Sequence, residues 1–373
     1  MIGQRLRVSP DRMAHGGKAV ARHEGQAVFV AGAMPGDTVQ VVVTGKGKRH
    51  LQATTEEVLE PSPDRVDAPC VYFGTCGGCQ WQTASYEAQL RWKQEVVAGQ
   101  LLHLARLEVE VKPTLPTGPP YGYRNRIDLR VTDGRPALFK ESSHELVPIE
   151  SCLVLVPALQ AMLADPGTLD GVEKLTLRAG VKTGETIALF DNSFGRIHEE
   201  VAGRRLRISG RAFFQNNTGG AEVLVALVAE ALTPQAHDVL VDGYAGGGLF
   251  AVTVGADCEV YAVESDPVAA SDLAANSDAV VFIDRFERCE GLPTGWDLAV
   301  VDPPRAGLGQ TGVEKLISGW PRTIVYVSCD PASFARDAAL LTDGGYRLNW
   351  VQPVDMFPQT FHVEIVGRFS PAG

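Results

Sequence analysis

The strongest constraint on this fold lies between residues 239 and 264. Val239-Leu240-Val241-Asp242 reads as a buried strand end and runs into the glycine turn Gly243-Tyr244-Ala245-Gly246-Gly247-Gly248. A second strand, Glu259-Val260-Tyr261-Ala262-Val263-Glu264, follows. Strand, glycine turn, helix and strand in alternation imply a doubly wound parallel sheet. Ligands of such sheets bind beyond the carboxyl ends of the strands, where glycines let the backbone approach them. Glu264, at the second strand end, is placed to accept hydrogen bonds from a ribose diol. A dinucleotide could use the same device, so these residues alone leave an oxidoreductase open.

Two further strand ends narrow the choice. Asp302-Pro303-Pro304-Arg305 follows the strand Leu298-Ala299-Val300-Val301. Its prolines hold a rigid turn without backbone donors, against which a flat base could stack; the bland alternative is a plain rigid loop. Ile324-Val325-Tyr326-Val327-Ser328-Cys329-Asp330-Pro331 is another buried strand ending in a polar turn. A lone cysteine beside a strand is ordinarily a small buried hydrophobe, and Cys258 and Cys289 take that reading. Cys329 differs, because it occupies a strand end in line with Glu264 and Asp302.

The rest of the chain divides by rhythm. Residues 1–59 read as five short strands separated by turns, the pattern of a small oligonucleotide-binding β-barrel. Its basic tip, Lys46-Gly47-Lys48-Arg49-His50, offers Lys46 and Lys48 to phosphates or stands as a solvated hairpin end. Residues 60–210 form a central region, with helical periodicity from Tyr86 to Leu107 and strand-like patterning from about 120. There Arg124-Asn125-Arg126 suits phosphate and base contacts, and equally surface ion pairs. Residues 211–373 hold the α/β unit. The net charge of −11 is unevenly spread: residues 221–373 carry 8 Lys/Arg against 21 Asp/Glu, whereas residues 1–50 carry 8 against 3. Local fields govern contact with a polyanion, because charge is screened over about 8 Å in physiological salt, so an RNA partner is allowed.

Seven cysteines, an odd number, argue against a disulfide framework. Cys70, Cys76 and Cys79 crowd one glycine-rich loop, and Cys152 lies far along the chain. Four thiolates can hold zinc or an iron–sulfur cluster, and spacing does not choose. No apolar run approaches a membrane span and the N-terminus lacks a signal-peptide core, so a cytoplasmic enzyme with no membrane partner is expected.

Taken in order, Phe213-Phe214-Gln215-Asn216-Asn217, the glycine turn, Asp302-Pro303-Pro304-Arg305-Ala306-Gly307, Tyr326-Val327-Ser328-Cys329 and Asp355-Met356-Phe357-Pro358-Gln359-Thr360-Phe361-His362-Val363-Glu364 resemble the RNA uracil-5-methyltransferase family. Within it the chain is similar to the TRAM-domain, iron–sulfur-containing 23S rRNA branch. The resemblance implies a TRAM barrel of OB type over 1–59, an α+β central domain over 60–210, and a Rossmann-like class I methyltransferase domain over 211–373. It implies Cys329 as nucleophile, Glu364 as base and Asp302 as an orienting acid. Gln215, Tyr244, Gly246, Gly248, Glu264, Asp284 and Asp302 would hold S-adenosylmethionine. Cys70, Cys76, Cys79 and Cys152 would ligate a [4Fe–4S] cluster. Phe214, Arg124, Arg126, Lys46 and Lys48 would meet RNA, with ribosomal RNA favoured over tRNA and the protein acting as a monomer.

The chemistry explains the requirement for these groups. Carbon 5 of uracil is too weak a nucleophile to take a methyl group from a sulfonium unaided, whereas thiolate addition at carbon 6 makes an enolate with charge at carbon 5. Several residues depart from the family pattern: Ala245 stands for a cysteine, Leu249 for a small polar residue, Gln359 for a histidine and Asp330 for an asparagine. A methyltransferase for exocyclic amines would need Asp302-Pro303-Pro304 without Cys329, and a non-catalytic RNA-binding module would bind no S-adenosylmethionine.

Overall fold

The computed structural model describes residues 2–373. Six strands open the chain: β1 (Arg5–Val8), β2 (Arg12–Met13), β3 (Ala19–His23), β4 (Gln26–Ala31), β5 (Thr38–Lys46) and β6 (His50–Glu60). They form one sheet in the order β1-β5-β6-β4-β3-β2, antiparallel except between β4 and β6. On β5, Val39, Val41 and Val43 are buried while Gln40 and Val42 are less so, the period of two expected of a sheet with one core face. These valines join Leu6, Val28 and Leu51 in a core that also takes in Trp81 and Trp92. Six strands stand where alternation gives five, because the two-residue β2 is too short to alternate.

Helix α1 (Tyr86–Gln100) starts at Ser85, whose side chain accepts the Ala88 N–H at 3.3 Å. It serves two cores at once: Ala88, Trp92 and Val96 face the barrel, while Val97 and the following Leu101 enter the C-terminal domain. A short strand, β7 (Leu115–Pro116), comes next. Strands β8 (Arg126–Thr132), β9 (Arg135–Phe139) and β10 (Leu146–Pro148), helix α2 (Pro157–Ala164), and strands β11 (Lys174–Ala179) and β12 (Thr186–Phe190) make the central unit. Its sheet runs β10-β9-β8-β11-β12 and is covered by Leu159 and Leu163 of α2. The hairpin of β13 (Arg196–Val201) and β14 (Arg204–Ser209) leads out of it.

The remaining elements are α3 (Thr218–Leu232), β15 (Val239–Gly243), α4 (Leu249–Thr253), β16 (Glu259–Glu264), α5 (Pro267–Asn276), β17 (Val280–Ile283), β18 (Leu298–Val301), α6 (Gly309–Ser318), β19 (Thr323–Ser328), α7 (Pro331–Asp343), β20 (Tyr346–Asp355) and β21 (Glu364–Pro371). Their sheet runs β17-β16-β15-β18-β19-β21-β20-β7. Strands β15 to β19 are parallel, and β21 inserts antiparallel between β19 and β20. Both faces are covered: α3, α4 and α5 pack on one, and α6, α7 and α1 on the other. Every residue of β18 and β19 is buried, as a central strand between two helical layers requires. The strand order reverses beside β15, which opens a crevice at its carboxyl end. Among the described residues no helix is long and apolar enough to cross a membrane.

Candidate active site

The turn after β15 builds the first half of the site. Gly248 has φ +90°, and a Cβ there would lie 2.4 Å from Leu273, so helix α4 can approach α5 only through glycine. Glu264, at the end of β16, accepts the Gly246 N–H at 2.8 Å and the Asp266 N–H at 2.6 Å. Asp284 follows β17 and is exposed at the same edge, its N–H donating to the Glu264 carbonyl at 3.2 Å. Tyr244 lies tilted against Phe286, and its hydroxyl donates to Glu287 at 2.5 Å. Sequence reasoning missed Glu287, which has no motif of its own. It also missed Asp242, whose signal was its place at the end of a buried strand.

Asp242 is the group that most clearly awaits a ligand. One oxygen accepts the Ala251 N–H at 2.9 Å, and the other is buried without a partner. Burial, reinforced by the Asp302 and Glu264 carboxylates, pushes its carboxyl up to about 8. A cationic or hydrogen-donating ligand would relieve both conditions. The ammonium and sulfonium of S-adenosylmethionine have that character, so the crevice fits that cofactor. Leu249 is buried in the hydrophobic core and offers no hydrogen bond, as its side chain implies.

The second half comes from strand register. Ser328 of β19 pairs with Ile365 of β21, which brings Cys329 alongside Glu364, the first residue of β21. Because β21 is antiparallel, its beginning meets the ends of its parallel neighbours. Asp302 follows β18 at the same edge and accepts the Gln215 amide at 3.3 Å. Burial first, then the Glu364 and Asp302 carboxylates, push the Cys329 thiol up to about 12, with Arg305 pulling the other way. Burial and Asp302 hold the Glu364 carboxyl well above the usual range, and burial raises Asp302 to about 7. Gln215, Tyr244, Gly246, Gly248, Glu264, Asp302, Cys329 and Glu364 therefore meet at one sheet edge.

The departure at Gln359 has a structural partner. Gln359 is buried, and its amide oxygen accepts from Gln89 of α1 at 3.0 Å while Gln89 accepts the Gln359 N–H at 2.9 Å. The two amides lock α1 to the loop before Glu364.

Several expected RNA contacts are elsewhere. Phe214 is buried at 5% exposure in the C-terminal core, while its neighbour Phe213 is 60% exposed. Arg126 spends its guanidinium on the Ala212 carbonyl and Asp128, and Arg124 donates to the Arg126 carbonyl. Both are half-buried, so their first role is holding the loop before Gln215. Lys46 and Lys48 are exposed at the barrel tip.

Cys70, Cys76, Cys79 and Cys152 are all free and half-buried. Gly78 N–H donates to Cys76 Sγ at 3.4 Å, Val154 N–H to Cys152, and the Gln82 amide to Cys79. Burial raises the Cys79 thiol to about 11, with the other three cysteines adding to the shift. Among the described residues no group of three or more His, Cys, Asp or Glu converges closely enough to grip a metal ion. The expected [4Fe–4S] centre therefore has no closed ligand shell here.

A doubly wound sheet with an unsatisfied acid at its glycine turn and a thiol–acid set at its edge defines a methyltransferase of S-adenosylmethionine-dependent type. Residues 283–369 match the tRNA (uracil-5-)-methyltransferase family model, and residues 1–53 match the TRAM domain. An uncharacterized RNA methyltransferase of Streptomyces avermitilis is 36% identical over all of this chain and 99% of its own length. One from Thermosynechococcus vestitus is 30% identical over 99% of this chain and 98% of its own. The crystal structure of Pyrococcus abyssi tRNA (uracil-54, C5)-methyltransferase with S-adenosyl-L-homocysteine superposes with a TM-score of 0.75 at 25% identity, covering 98% of this chain and 100% of that one. The chain belongs to the S-adenosylmethionine-dependent RNA (uracil-5-)-methyltransferase family, and it carries a TRAM domain.

Proposed function

We propose that the protein methylates carbon 5 of a uridine in RNA through a covalent bond between Cys329 Sγ and carbon 6 of the ring. The observation that carries this reading is the β19–β21 register, which sets Cys329 beside Glu364 with Asp302 at the neighbouring strand end.

S-adenosylmethionine supplies an electrophilic methyl group; Asp242, Glu264 and Gln215 are the residues that would hold it. Cys329 begins as a thiol, since its surroundings disfavour the thiolate. Asp302, the carboxyl at the neighbouring strand end, is the acceptor for the thiol proton. That transfer moves the negative charge from Asp302 to the thiolate beside Glu364, so Glu364 keeps its proton until addition and methyl transfer have consumed the thiolate's charge. The thiolate adds to carbon 6, and the electron pair of the carbon 5–carbon 6 double bond moves to carbon 5, which takes the methyl group. Glu364 then removes the carbon-5 proton, the double bond re-forms, and the thiolate leaves and recovers its proton. A carboxylate with a raised proton affinity is a strong base once ionised, which suits Glu364 to that step. Phe213, exposed two residues before Gln215, is the aromatic surface available to stack a neighbouring base.

Large-subunit ribosomal RNA is the carrier expected from the 23S branch resemblance, whereas the Pyrococcus abyssi relative acts on tRNA. Mapping 5-methyluridine in both RNAs of a deletion strain decides between them. The four cysteines are proposed to hold a [4Fe–4S] cluster. The donor set is all thiol, and three of its sulfurs receive N–H donors. A zinc site would draw its sulfurs within about 4 Å of one another, given a Zn–S bond of about 2.3 Å; a four-iron cluster spreads its ligands wider.

The test of the chemistry is RNA carrying 5-fluorouridine. Fluorine permits addition and methyl transfer but blocks removal of a proton, so a methylated covalent complex should accumulate with the Cys329 peptide crosslinked. Cys329→Ala should form none and should make no 5-methyluridine. Methylation surviving in that variant, or a methyl group found on an exocyclic nitrogen, would replace this reading with amine methylation.

A further inference from the structure

The nucleophile has a neighbour from the other end of the chain. The turn between β2 and β3 carries His15, and its Nε2 lies 3.2 Å from Asp330 Oδ2, next to Cys329. The same ring helps to line a cavity of about 100 Å³ with Arg305, Cys329, Asp330, Phe361 and His362. The turn is fixed rather than draped. Ala14 N–H donates to the Lys18 carbonyl at 2.8 Å, and Gly17 N–H to the Ala14 carbonyl at 3.1 Å. The Trp81 indole donates to the Gly17 carbonyl at 3.3 Å. Gly17, at φ +82°, rests on Phe361 so closely that a Cβ would come within 2.6 Å of the ring.

Asp330 divides its carboxylate between two tasks. Oδ1 caps α7 by accepting the Ser333 N–H at 2.7 Å, and Oδ2 faces His15. Burial alone would raise this carboxyl, but the His15 ring and the Ser333 amide hold it down at about 2. It is therefore a fixed negative charge beside a thiol that must ionise, and it opposes that ionisation.

We propose that His15 of the TRAM domain is a positioning residue for catalysis: by pairing with Asp330 it masks the charge beside Cys329 and completes the wall of the cavity that Cys329 lines. The barrel thus belongs to the catalytic centre. This deepens the proposed reaction and rests on Cys329 being the nucleophile. A carboxylate left unmasked beside Cys329 pushes the thiol further up and lowers the fraction present as thiolate.

The experiment uses the full chain with S-adenosylmethionine and 5-fluorouridine RNA, comparing the parent, His15→Ala, Asp330→Asn and the double variant. Adduct formation is timed across RNA concentrations, so that the maximal rate and half-saturation separate. His15→Ala should slow the maximal rate about tenfold with half-saturation within twofold. Asparagine keeps the helix cap without the charge, so removing His15 from Asp330→Asn should cost less than twofold. An undiminished loss in the double variant would overturn the proposal. So would a His15→Ala defect confined to half-saturation, which marks a plain RNA contact. A parent enzyme that forms no adduct refutes the Cys329 chemistry itself, and a parent that reacts alongside an unimpaired His15→Ala refutes only the role of His15.

Discussion

Lys93→Met tests whether helix α1 is bolted to the catalytic domain by charge. Lys93 Nζ donates to Asp355 Oδ1 at 2.5 Å and to the Phe357 carbonyl at 3.2 Å, and both charged side chains are fully buried. Methionine keeps the apolar stem, so the change isolates the charge. Asp355 would then remain in the core alone, with its second oxygen already unpartnered. A buried carboxylate that has lost its cation is uncompensated, and removing one partner of such a pair costs about 3–5 kcal/mol. Hydrogen exchange of the α1 amides reads this unit without assuming that the 373-residue chain unfolds in one step. The double variant Lys93→Met/Asp355→Asn should recover most of the loss at pH 7. A loss below about 1 kcal/mol at pH 7 would refute the reasoning.

Three further outcomes are expected. Glu364→Gln should transfer one methyl group per enzyme and then stall as a denaturation-stable RNA adduct, with turnover lower by about 10²–10⁴-fold; near-normal turnover would move the base elsewhere. In the RNA-free enzyme, alkylation of the Cys329 peptide should be slow at pH 7 and rise about tenfold per pH unit to pH 9, because the thiol is pushed up to about 12; a plateau by pH 8 would contradict its buried, acid-lined setting. Protein purified without oxygen should be brown with about four irons per chain, and Cys76→Ser should lose the colour; one zinc per chain with no iron would overturn the cluster.

Much of the site was legible because strand ends are local events. An apolar run of four to six residues, broken by Gly, Pro or Asp, announces both the strand and the edge where it stops. Glu264, Asp302 and Cys329 each close such a run, and parallel strands with helical crossovers bring their ends to one side. The barrel valines at alternate positions 39, 41 and 43 were readable for the same reason.

Facing and pairing across distance were not legible. Nothing local distinguishes Phe213 from Phe214, and only the packing of the C-terminal core turns one ring in and leaves the other out. Arg124 and Arg126 look like phosphate ligands until their carbonyl partners at 126 and 212 are seen. Gln359 read as a departure, yet its amide is matched by Gln89, 270 positions away. His15 meets Asp330, and Lys93 meets Asp355, across similar separations. The sequence by itself determined the strands, their glycine and proline breaks, and the order of chemical groups along them. Which distant side chains share a charge or a hydrogen bond depends on how the separate cores pack against one another, with α1 shared by two of them, and only the tertiary structure decided that.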